Sequence, residues 1–302
     1  MSAKPNFEQV GEIKFSDSKS EFQRLEADEQ GFILLAEFLK KASGISLEKN
    51  PKNRSLMASR TYQLLRDHQL PSYTALYSRL KKKEPQLEKD FVFSLTTNTT
   101  QFFRENGHFD FIREWLPSYY QNKVKNFSRE MRVWCAAASS GQEPYSILMT
   151  LHEVLGDPLT QNWDLKMLAT DIDLEVLQTA STAVYAENLV KDVPPILLGK
   201  YFAHLKNAKG IPNYRMRSRF RDEIRFAPFN LIQMPYRFAH KFDIIFCRNV
   251  LIYFEPAVAS KVVEELISQL KPGGLLFLGH SESGCHHSKS TKTLSHAVYE
   301  RK

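Results

Sequence analysis

The stretch that most constrains the fold runs from Arg132 to Ser146. It reads Arg-Val-Trp-Cys-Ala-Ala-Ala-Ser-Ser-Gly-Gln-Glu-Pro-Tyr-Ser. An apolar run, a series of small residues and then a helix-opening Pro144 predict a buried strand, a tight turn and a helix. Small side chains let backbone N–H groups approach a ligand, and the N-terminus of the helix adds positive potential. The segment therefore predicts a ligand-binding turn at the end of a strand.

A second apolar run, Leu168-Ala-Thr-Asp-Ile-Asp173, ends on two acids. At this place in nucleotide-binding α/β folds, an acid binds the ribose hydroxyls. The preceding turn holds a single glycine, Gly141, so the pyrophosphate-binding pattern G-x-G-x-x-G is absent. The pair of segments favours a nucleoside ligand without phosphates, such as S-adenosylmethionine. The alternative is an ordinary core turn of an α/β protein.

Two different patterns of apolar residues along the chain predict two domains. Residues 1–21 are polar and predict a mobile segment. Residues 22–95 show apolar residues at helical spacing, interrupted by Pro51, Pro71 and Pro85, which predicts a helical domain. In residues 96–302, short apolar runs alternate with helices, which predicts a mostly parallel sheet with helices on both faces. The predicted strands are 131–137, 166–170, 223–228, 242–247, 274–279 and 296–300.

Residues 188–225 interrupt this alternation of predicted strands and helices with several Pro and Gly residues. Within them, Tyr214, Met216 and Phe220 alternate with arginines. This period of two predicts a small antiparallel insertion that is basic on one face.

Composition narrows the class of protein further. No apolar run reaches the roughly 20 residues needed to span a bilayer, and no signal-peptide pattern is visible. The three cysteines form no C-x-x-C motif, so the sequence indicates neither a zinc site nor a disulfide framework. We expect a cytoplasmic protein. Net charges of +9 over residues 38–83 and +6 over residues 200–225 predict an acidic macromolecular partner, either nucleic acid or an acidic protein. The alternative is that each segment is merely a solvated basic face.

Four separated motifs occur in a fixed order. They are Leu95-Thr-Thr-Asn-Thr-Thr-Gln-Phe-Phe-Arg-Glu105, Ala136-Ala-Ala-Ser-Ser-Gly-Gln-Glu-Pro-Tyr-Ser146, Phe242-Asp-Ile-Ile-Phe-Cys-Arg-Asn-Val-Leu-Ile-Tyr-Phe254 and Leu270-Lys-Pro-Gly-Gly-Leu-Leu-Phe-Leu-Gly-His-Ser-Glu282. Together they closely resemble the chemotaxis receptor methyltransferases, the CheR family, over residues 30–302. The tail after Glu282 matches poorly.

The resemblance implies an α/β, Rossmann-like methyltransferase domain that depends on S-adenosylmethionine. A small antiparallel β-subdomain would be inserted in it, and an all-α N-terminal domain would precede it. Members of the family transfer a methyl group to glutamate side chains on the cytoplasmic domain of methyl-accepting chemoreceptors, which gives methyl esters and S-adenosylhomocysteine. Some relatives also bind a tethering peptide at the receptor C-terminus through the β-subdomain. The sequence leaves open whether this chain does so.

Matched motifs imply a set of cofactor-binding residues and no metal. Asp171 would accept the ribose hydroxyls, since a carboxylate can accept two such bonds, and Asn230 and Leu231 would lie on the adenine side. In the alternative reading, Asn98 and Thr100 merely cap a turn and Arg104 pairs with Glu105 or another acid. The full implied set is Asn98, Thr100, Arg104, Glu143, Asp171, Asn230, Leu231, Arg248 and Asn249.

Arg104 and Tyr253 are the implied catalytic residues. The acceptor glutamate has a pKa of about 4.3 and is already ionised at neutral pH, so no general base is required. Arg104 and the hydroxyl of Tyr253 would instead orient the incoming carboxylate. Alternatively, Tyr253 is a packed aromatic at a strand end.

The acidic receptor surface would be bound by three arginines within the +9 segment, Arg54, Arg60 and Arg66.

Two other functions stay open at this stage. The first is a nucleic-acid methyltransferase, which the basic segments allow. Against it, the sequence contains neither an Asn-Pro-Pro-aromatic motif nor a Pro-Cys nucleophile, and the basic segment shows no aromatic stacking platform. We therefore expect no nucleic-acid partner and no membrane insertion. The second is a non-catalytic domain that binds S-adenosylmethionine and docks partners.

Overall fold

The computed structural model describes residues 17–125, 128–156, 163–206, 210–286 and 288–302. They divide into two compact units. The described residues of one unit are 17–38 and 47–95, and those of the other begin with Leu39–Ser46 and continue from Thr96. Residues 1–16 of the predicted mobile segment lie outside the described residues, whereas 17–21 begin a helix. No helix in the described part of the chain has the length and apolarity that crossing a membrane requires.

The first unit is built from helices whose starts match signals in the sequence. The elements are α1 (Asp17–Ala27), α2 (Glu29–Ser43), α3 (Pro51–Asp67), α4 (Tyr73–Lys81) and α5 (Pro85–Leu95). Asn50 caps α3 ahead of Pro51 by accepting a hydrogen bond from the backbone N–H of Asn53 at 2.9 Å. Ser72 caps α4 in the same way. The last turn of α2 groups with the second unit.

The second unit contains a seven-stranded sheet in the order β6-β2-β1-β7-β8-β10-β9. Its strands are β1 (Glu130–Cys135), β2 (Asp164–Asp171), β6 (Ile224–Pro228), β7 (Phe242–Cys247), β8 (Leu270–Leu278), β9 (Thr291–Ser295) and β10 (Val298–Arg301). Neighbours from β6 to β8 are parallel, and β8, β10 and β9 are antiparallel. Each of the six predicted strands overlaps one of these. The sequence analysis did not predict β9, because this polar strand lacks the alternation of apolar and polar residues that marks a strand.

Alternate residues of the central strands enter two different cores. Val133 and Ile244 pack in one core with α6 (Gly107–Lys125) and α7 (Gln142–Leu155). Their neighbours Trp134 and Ile245 pack in the other with α11 (Pro256–Gln269). Because successive side chains of a strand point to opposite faces, the sheet is buried on both sides. This confirms the predicted α/β class and its mostly parallel sheet.

A second, three-stranded antiparallel sheet has the order β3-β5-β4, with β3 (Val184–Ala186), β4 (Phe202–Lys206) and β5 (Pro212–Met216). It follows α8 (Leu174–Thr182) and encloses α9 (Pro195–Tyr201). The predicted insertion of 188–225 differs from it at both ends. The first strand of the observed sheet, β3, precedes residue 188. At the other end, Ser218–Arg221 form a short helix, α10, instead of a strand. Phe220 is buried against Tyr201, with ring centroids 4.5 Å apart, so its burial arises from a helical turn.

Parallel pairing brings four loops to one edge of the large sheet. Strands β1, β2, β6 and β7 run in the same direction, so the loops that follow them, 136–141, 172–173, 229–231 and 248–253, meet at their carboxyl ends. Ligands of such sheets bind at this edge. The predicted site residues from 143 onward lie in or next to these loops.

Candidate cofactor site

A cavity opens at the carboxyl ends of the parallel strands. It holds about 840 Å³ of non-protein space, part of it open to solvent. Every residue predicted from the motifs to bind cofactor or to act in catalysis contributes to its lining. These residues are Asn98, Thr100, Arg104, Glu143, Asp171, Asn230, Leu231, Arg248, Asn249 and Tyr253.

The turn after β1 forms part of the cavity wall through small residues. Ala136, Ala137 and Ser139 line the cavity. Gly141 then begins α7 with φ of +98°, and a Cβ there would lie 2.7 Å from the hydroxyl oxygen of Tyr185. Both the positive φ and the close approach require glycine. The predicted strand, small-residue turn and helix therefore exist as the sequence indicated.

Asp171 ends β2 with its carboxylate held by backbone N–H groups. Its Oδ2 accepts from the N–H of Ser139 at 2.8 Å, and its Oδ1 accepts from the N–H of Asp173 at 3.1 Å. Burial raises the pKa of Asp171, although these hydrogen bonds oppose the shift. A carboxylate oxygen has two lone pairs, so each oxygen retains acceptor capacity. Asp171 can thus accept two further hydrogen bonds, one on each oxygen.

Asn98 is fixed by a neighbouring acid that the sequence analysis did not select. Its side-chain amide donates to Oδ2 of Asp173 at 2.9 Å, and the hydroxyl of Thr96 donates to the same oxygen at 3.0 Å. The other oxygen of Asp173 caps α8 by accepting from the N–H of Glu175. The acid-x-acid sequence Asp171-Ile-Asp173, with the second acid ahead of an apolar helix, was the signal for this cap.

A buried guanidinium in the loop after β7 connects this loop to the start of α7. Arg248 is 3% exposed, and its Nη1 donates to Oε2 of Glu143 at 2.7 Å. Its Nη2 donates to Oε2 of Glu105 at 2.9 Å and to the backbone carbonyl of Arg104. The side-chain amide of Asn249 also donates to Glu105, at 3.2 Å. Glu105 therefore pairs with Arg248, and the described residues show no ion pair between Glu105 and Arg104.

The two carboxylates of this network differ in their pKa values. Burial raises the pKa of Glu143, and the charge of Arg248 only partly opposes it. Burial also opposes ionisation of Glu105, but the hydrogen bond and charge of Arg248 hold the pKa of that carboxyl below its usual value. Arg104 itself donates to the backbone carbonyl of Thr99 at 3.1 Å, and its side chain lines the cavity.

Glu105, His108 and His280 bring potential metal-ligand atoms within 4.8 Å of one another. The Glu105 oxygen that faces both rings is the one bonded to Arg248. Burial, together with the charge of Arg248, lowers the pKa of His108 to about 4. The guanidinium already supplies the positive charge at this carboxylate, and the absence of a metal from the protein stays a prediction.

The sheet and this cavity define an α/β protein with a ligand site at the carboxyl ends of its parallel strands. Two family models match the chain: "CheR methyltransferase, SAM binding domain" over residues 98–299 and "CheR methyltransferase, all-alpha domain" over residues 30–96. The chain belongs to the CheR methyltransferase family. This confirms the resemblance, the fold class and the dependence on S-adenosylmethionine predicted from the sequence.

Curated relatives match over most of their length. The chemotaxis protein methyltransferase of Escherichia coli (strain K12) is 34% identical over 279 residues, 92% of each chain. Chemotaxis protein methyltransferase 2 of Pseudomonas aeruginosa is 35% identical over 272 residues, 89% of this chain and 92% of the relative. The chemotaxis protein methyltransferase of Salmonella typhimurium is 35% identical over 263 residues, 86% of each.

The buried network predicts a pH-dependent loss of stability in the variant Arg248→Met. Removing the cation leaves the buried Glu143 and the half-buried Glu105 without it, which should lower the free energy of unfolding by about 3 kcal/mol at neutral pH. The pKa of Glu143 is already raised by burial and should rise further. A group whose pKa is raised by folding stabilises the fold at low pH, so the deficit should shrink as the pH falls toward about 5. Urea unfolding at several pH values measures this.

The matched control is Arg113→Met, which removes an exposed ion pair with Asp110. Exposed pairs contribute about 0–1 kcal/mol, so this variant should stay close to the wild type at every pH. A deficit in Arg248→Met that is independent of pH, or no larger than that of the control, would contradict the assigned network.

Proposed function

We propose that this protein is a protein-glutamate O-methyltransferase that methylates the cytoplasmic domain of methyl-accepting chemoreceptors. Methyl transfer from S-adenosylmethionine would give glutamate methyl esters and S-adenosylhomocysteine. The family membership and the names of the relatives support the substrate class. The observation that carries the proposal is the cavity with Asp171 at its wall, since this acid suits the ribose diol. The reaction takes place in the cytoplasm, where that receptor domain lies.

The residues that line the cavity suit the chemistry of S-adenosylmethionine. Asp171 would bind the two ribose hydroxyls through its remaining lone pairs. Phe229 and Leu231 offer apolar contact on the adenine side. Arg104 and Glu143 supply opposite charges for the carboxylate and ammonium of the methionine portion. When bound, S-adenosylmethionine supplies an electrophilic methyl group on a cationic sulfur.

The protein needs only to bind and orient the acceptor. A glutamate carboxylate with a pKa of about 4.3 is ionised at neutral pH and requires no base. Arg104 can hold one of its oxygens by a charge-assisted bond, and the hydroxyl of Tyr253 can donate to it. Their main contribution is alignment of the carboxylate with the methyl group. Thr100, Asn249 and the backbone beside them complete the wall.

The assay that tests the proposal incubates the protein with methyl-labelled S-adenosylmethionine and receptor cytoplasmic fragments. The expected product is label on the receptor that base releases as methanol, because carboxyl methyl esters hydrolyse in base. Label that resists base, label transferred to nucleic acid, or no transfer despite S-adenosylmethionine binding would reject the proposal. The last result would favour a non-catalytic docking module.

We also propose that the small sheet can take up a receptor C-terminal peptide. Strand β4 (Phe202–Lys206) pairs with β5 alone among the described strands, so one side of its backbone is open to strand addition. Leu205 adds an exposed apolar side chain. The same assay tests this with receptor fragments that carry or lack their C-terminal tail, and equal rates would exclude a tether.

Asp171→Asn should weaken the binding of S-adenosylhomocysteine by about tenfold to a hundredfold. The amide retains one acceptor oxygen and no charge, and bonds to a charged group contribute about 1.5–3 kcal/mol. Because burial raises the pKa of Asp171, wild-type affinity should fall as the pH drops through that pKa, and the variant should lose this dependence. Calorimetry measures both effects. The control is Asp192→Asn at an exposed turn, and equal behaviour of the two variants would exclude the ribose contact.

Tyr253→Phe should lower kcat for receptor methylation by about tenfold, since one hydrogen bond to the acceptor is lost. The affinity for S-adenosylhomocysteine should stay within about twofold of the wild type, because the ring remains in the cavity wall. Steady-state kinetics with receptor fragments and calorimetry check the two values. An unchanged kcat would assign Tyr253 a packing role only.

Arg54, Arg60 and Arg66 lie on α3 and are the proposed receptor contacts. Arg60 and Arg66 are exposed, whereas Arg54 lies 3.7 Å from Glu29. The double variant Arg60→Ala/Arg66→Ala should raise KM for the receptor by roughly threefold to tenfold and reduce its salt dependence, because exposed charge pairs are weak and screened. Lys261→Ala, an exposed cation on α11, is the control. A KM that is insensitive to salt in the wild type would contradict this contact.

A further inference from the structure

The segment Leu39–Ser46, here called the strap, consists of the end of α2 and the three residues that follow it, and it belongs to the second unit. The helix ends at Ser43, and Gly44 follows it with a φ of +83° and an N–H that donates to the carbonyl of Lys40 at 2.9 Å. The hydroxyl of Ser43 donates to the carbonyl of Leu39 at 2.8 Å. A glycine in this conformation is a common helix terminator, and it turns the chain sharply.

Several contacts fix the strap to the loops of the cofactor site. The N–H of Ser46 donates to the carbonyl of Tyr253 at 2.8 Å, and Ile45 forms an antiparallel bridge with Phe254. The side-chain amide of Asn230 donates to the carbonyl of Ala42 at 2.8 Å. Lys40 and Glu255 add an ion pair. Asn230, predicted as an adenine contact, thus uses its amide to hold the strap.

The strap contributes two residues to the lining of the cavity, Ser43 and Ile45. They share the lining with the apolar residues Phe229, Leu231 and Phe254. A wall of aliphatic and aromatic groups suits the flat faces of a purine, which are apolar, and the strap adds no charge to it. Ser43 is 3% exposed, so its small side chain is enclosed by this packing.

We propose that the strap forms the wall of the cavity against the purine base of the methyl donor, with Ser43 and Ile45 as binding residues. This inference rests on the proposed use of the cavity for S-adenosylmethionine. It assigns nucleoside-binding residues to a segment that the all-alpha family model covers, outside the range of the SAM-binding model.

Gly44 allows the strap to lie close to Ile232 and Phe254. A Cβ built there would lie 2.6 Å from Cγ2 of Ile232 and 3.2 Å from Cδ1 of Phe254. Real Cβ atoms do not approach side chains so closely, so a larger residue must displace the strap or its neighbours. A substitution at Gly44 therefore moves the purine wall without altering any side chain that lines the cavity.

The test compares Gly44→Ala with Gly273→Ala by calorimetry. Both glycines have positive φ, but a Cβ at Gly273 would have no neighbour nearer than Tyr119 at 4.0 Å. Gly44→Ala should bind S-adenosylhomocysteine about tenfold more weakly. It should bind methylthioadenosine, which lacks the amino-acid portion, more weakly by the same factor, because the loss concerns the base. Gly273→Ala should bind both like the wild type.

Adding Ile232→Ala to Gly44→Ala removes the main clash and should restore most of the affinity. Ile45→Ala provides a test that does not depend on the glycine, with an expected loss of about fivefold for both ligands. Its control is Ile211→Ala, at an isoleucine that is 50% exposed. The inference is overturned if Gly44→Ala and Ile45→Ala both bind the two ligands with wild-type affinity. It is also overturned if these variants bind S-adenosylhomocysteine more weakly but bind methylthioadenosine like the wild type.

The outcomes separate this inference from the proposed function. If the wild-type protein fails to bind S-adenosylhomocysteine, the cofactor assignment itself fails. If the wild type binds it and the strap variants bind equally well, only the purine wall fails. Circular dichroism of each variant confirms that it is folded before its affinity is compared.

Discussion

The site depends on one buried cation. Arg248 joins the start of α7, through Glu143, to the segment before α6, through Glu105 and the carbonyl of Arg104. An unpaired guanidinium in this position would destabilise the fold by about 3–5 kcal/mol, so the pairing stabilises the positions of its partners. The same pairing fixes the backbone of Arg104 and the side chain of Asn249, and both residues line the cavity. Stability and site geometry therefore rest on the same contacts.

The chemistry proposed for the cavity asks little of the protein beyond binding. A carboxylate acceptor is already a nucleophile, so the chain needs no residue with a pKa near neutrality at the reaction centre. Burial raises the pKa values of Asp171 and Glu143, and these carboxylates serve as hydrogen-bond and charge partners. The thiol of Cys135, next to Glu143, is also fully buried, and its pKa is raised well above the usual value.

Features set by periodicity and strand direction could be predicted from the sequence. The apolar runs located the parallel strands, and parallel strands place their carboxyl ends at one edge, which brought Asp171 and Arg248 to one cavity. The family motifs added Asn98 and Arg104. Features set by contacts distant in sequence could not be predicted. Asn230 holds Ala42 across 188 residues, and nothing in the local pattern around Ala42 marks it. The helical turn at Phe220 was similarly concealed, because a short run of alternating arginines also fits a strand.

A crystal structure of the protein with S-adenosylhomocysteine tests the central claim most directly. The account predicts the ligand in the cavity at the carboxyl ends of β1, β2 and β7, with both ribose hydroxyls donating to Asp171 and the base against the strap. A ligand bound elsewhere, or one whose ribose makes no contact with Asp171, would contradict it.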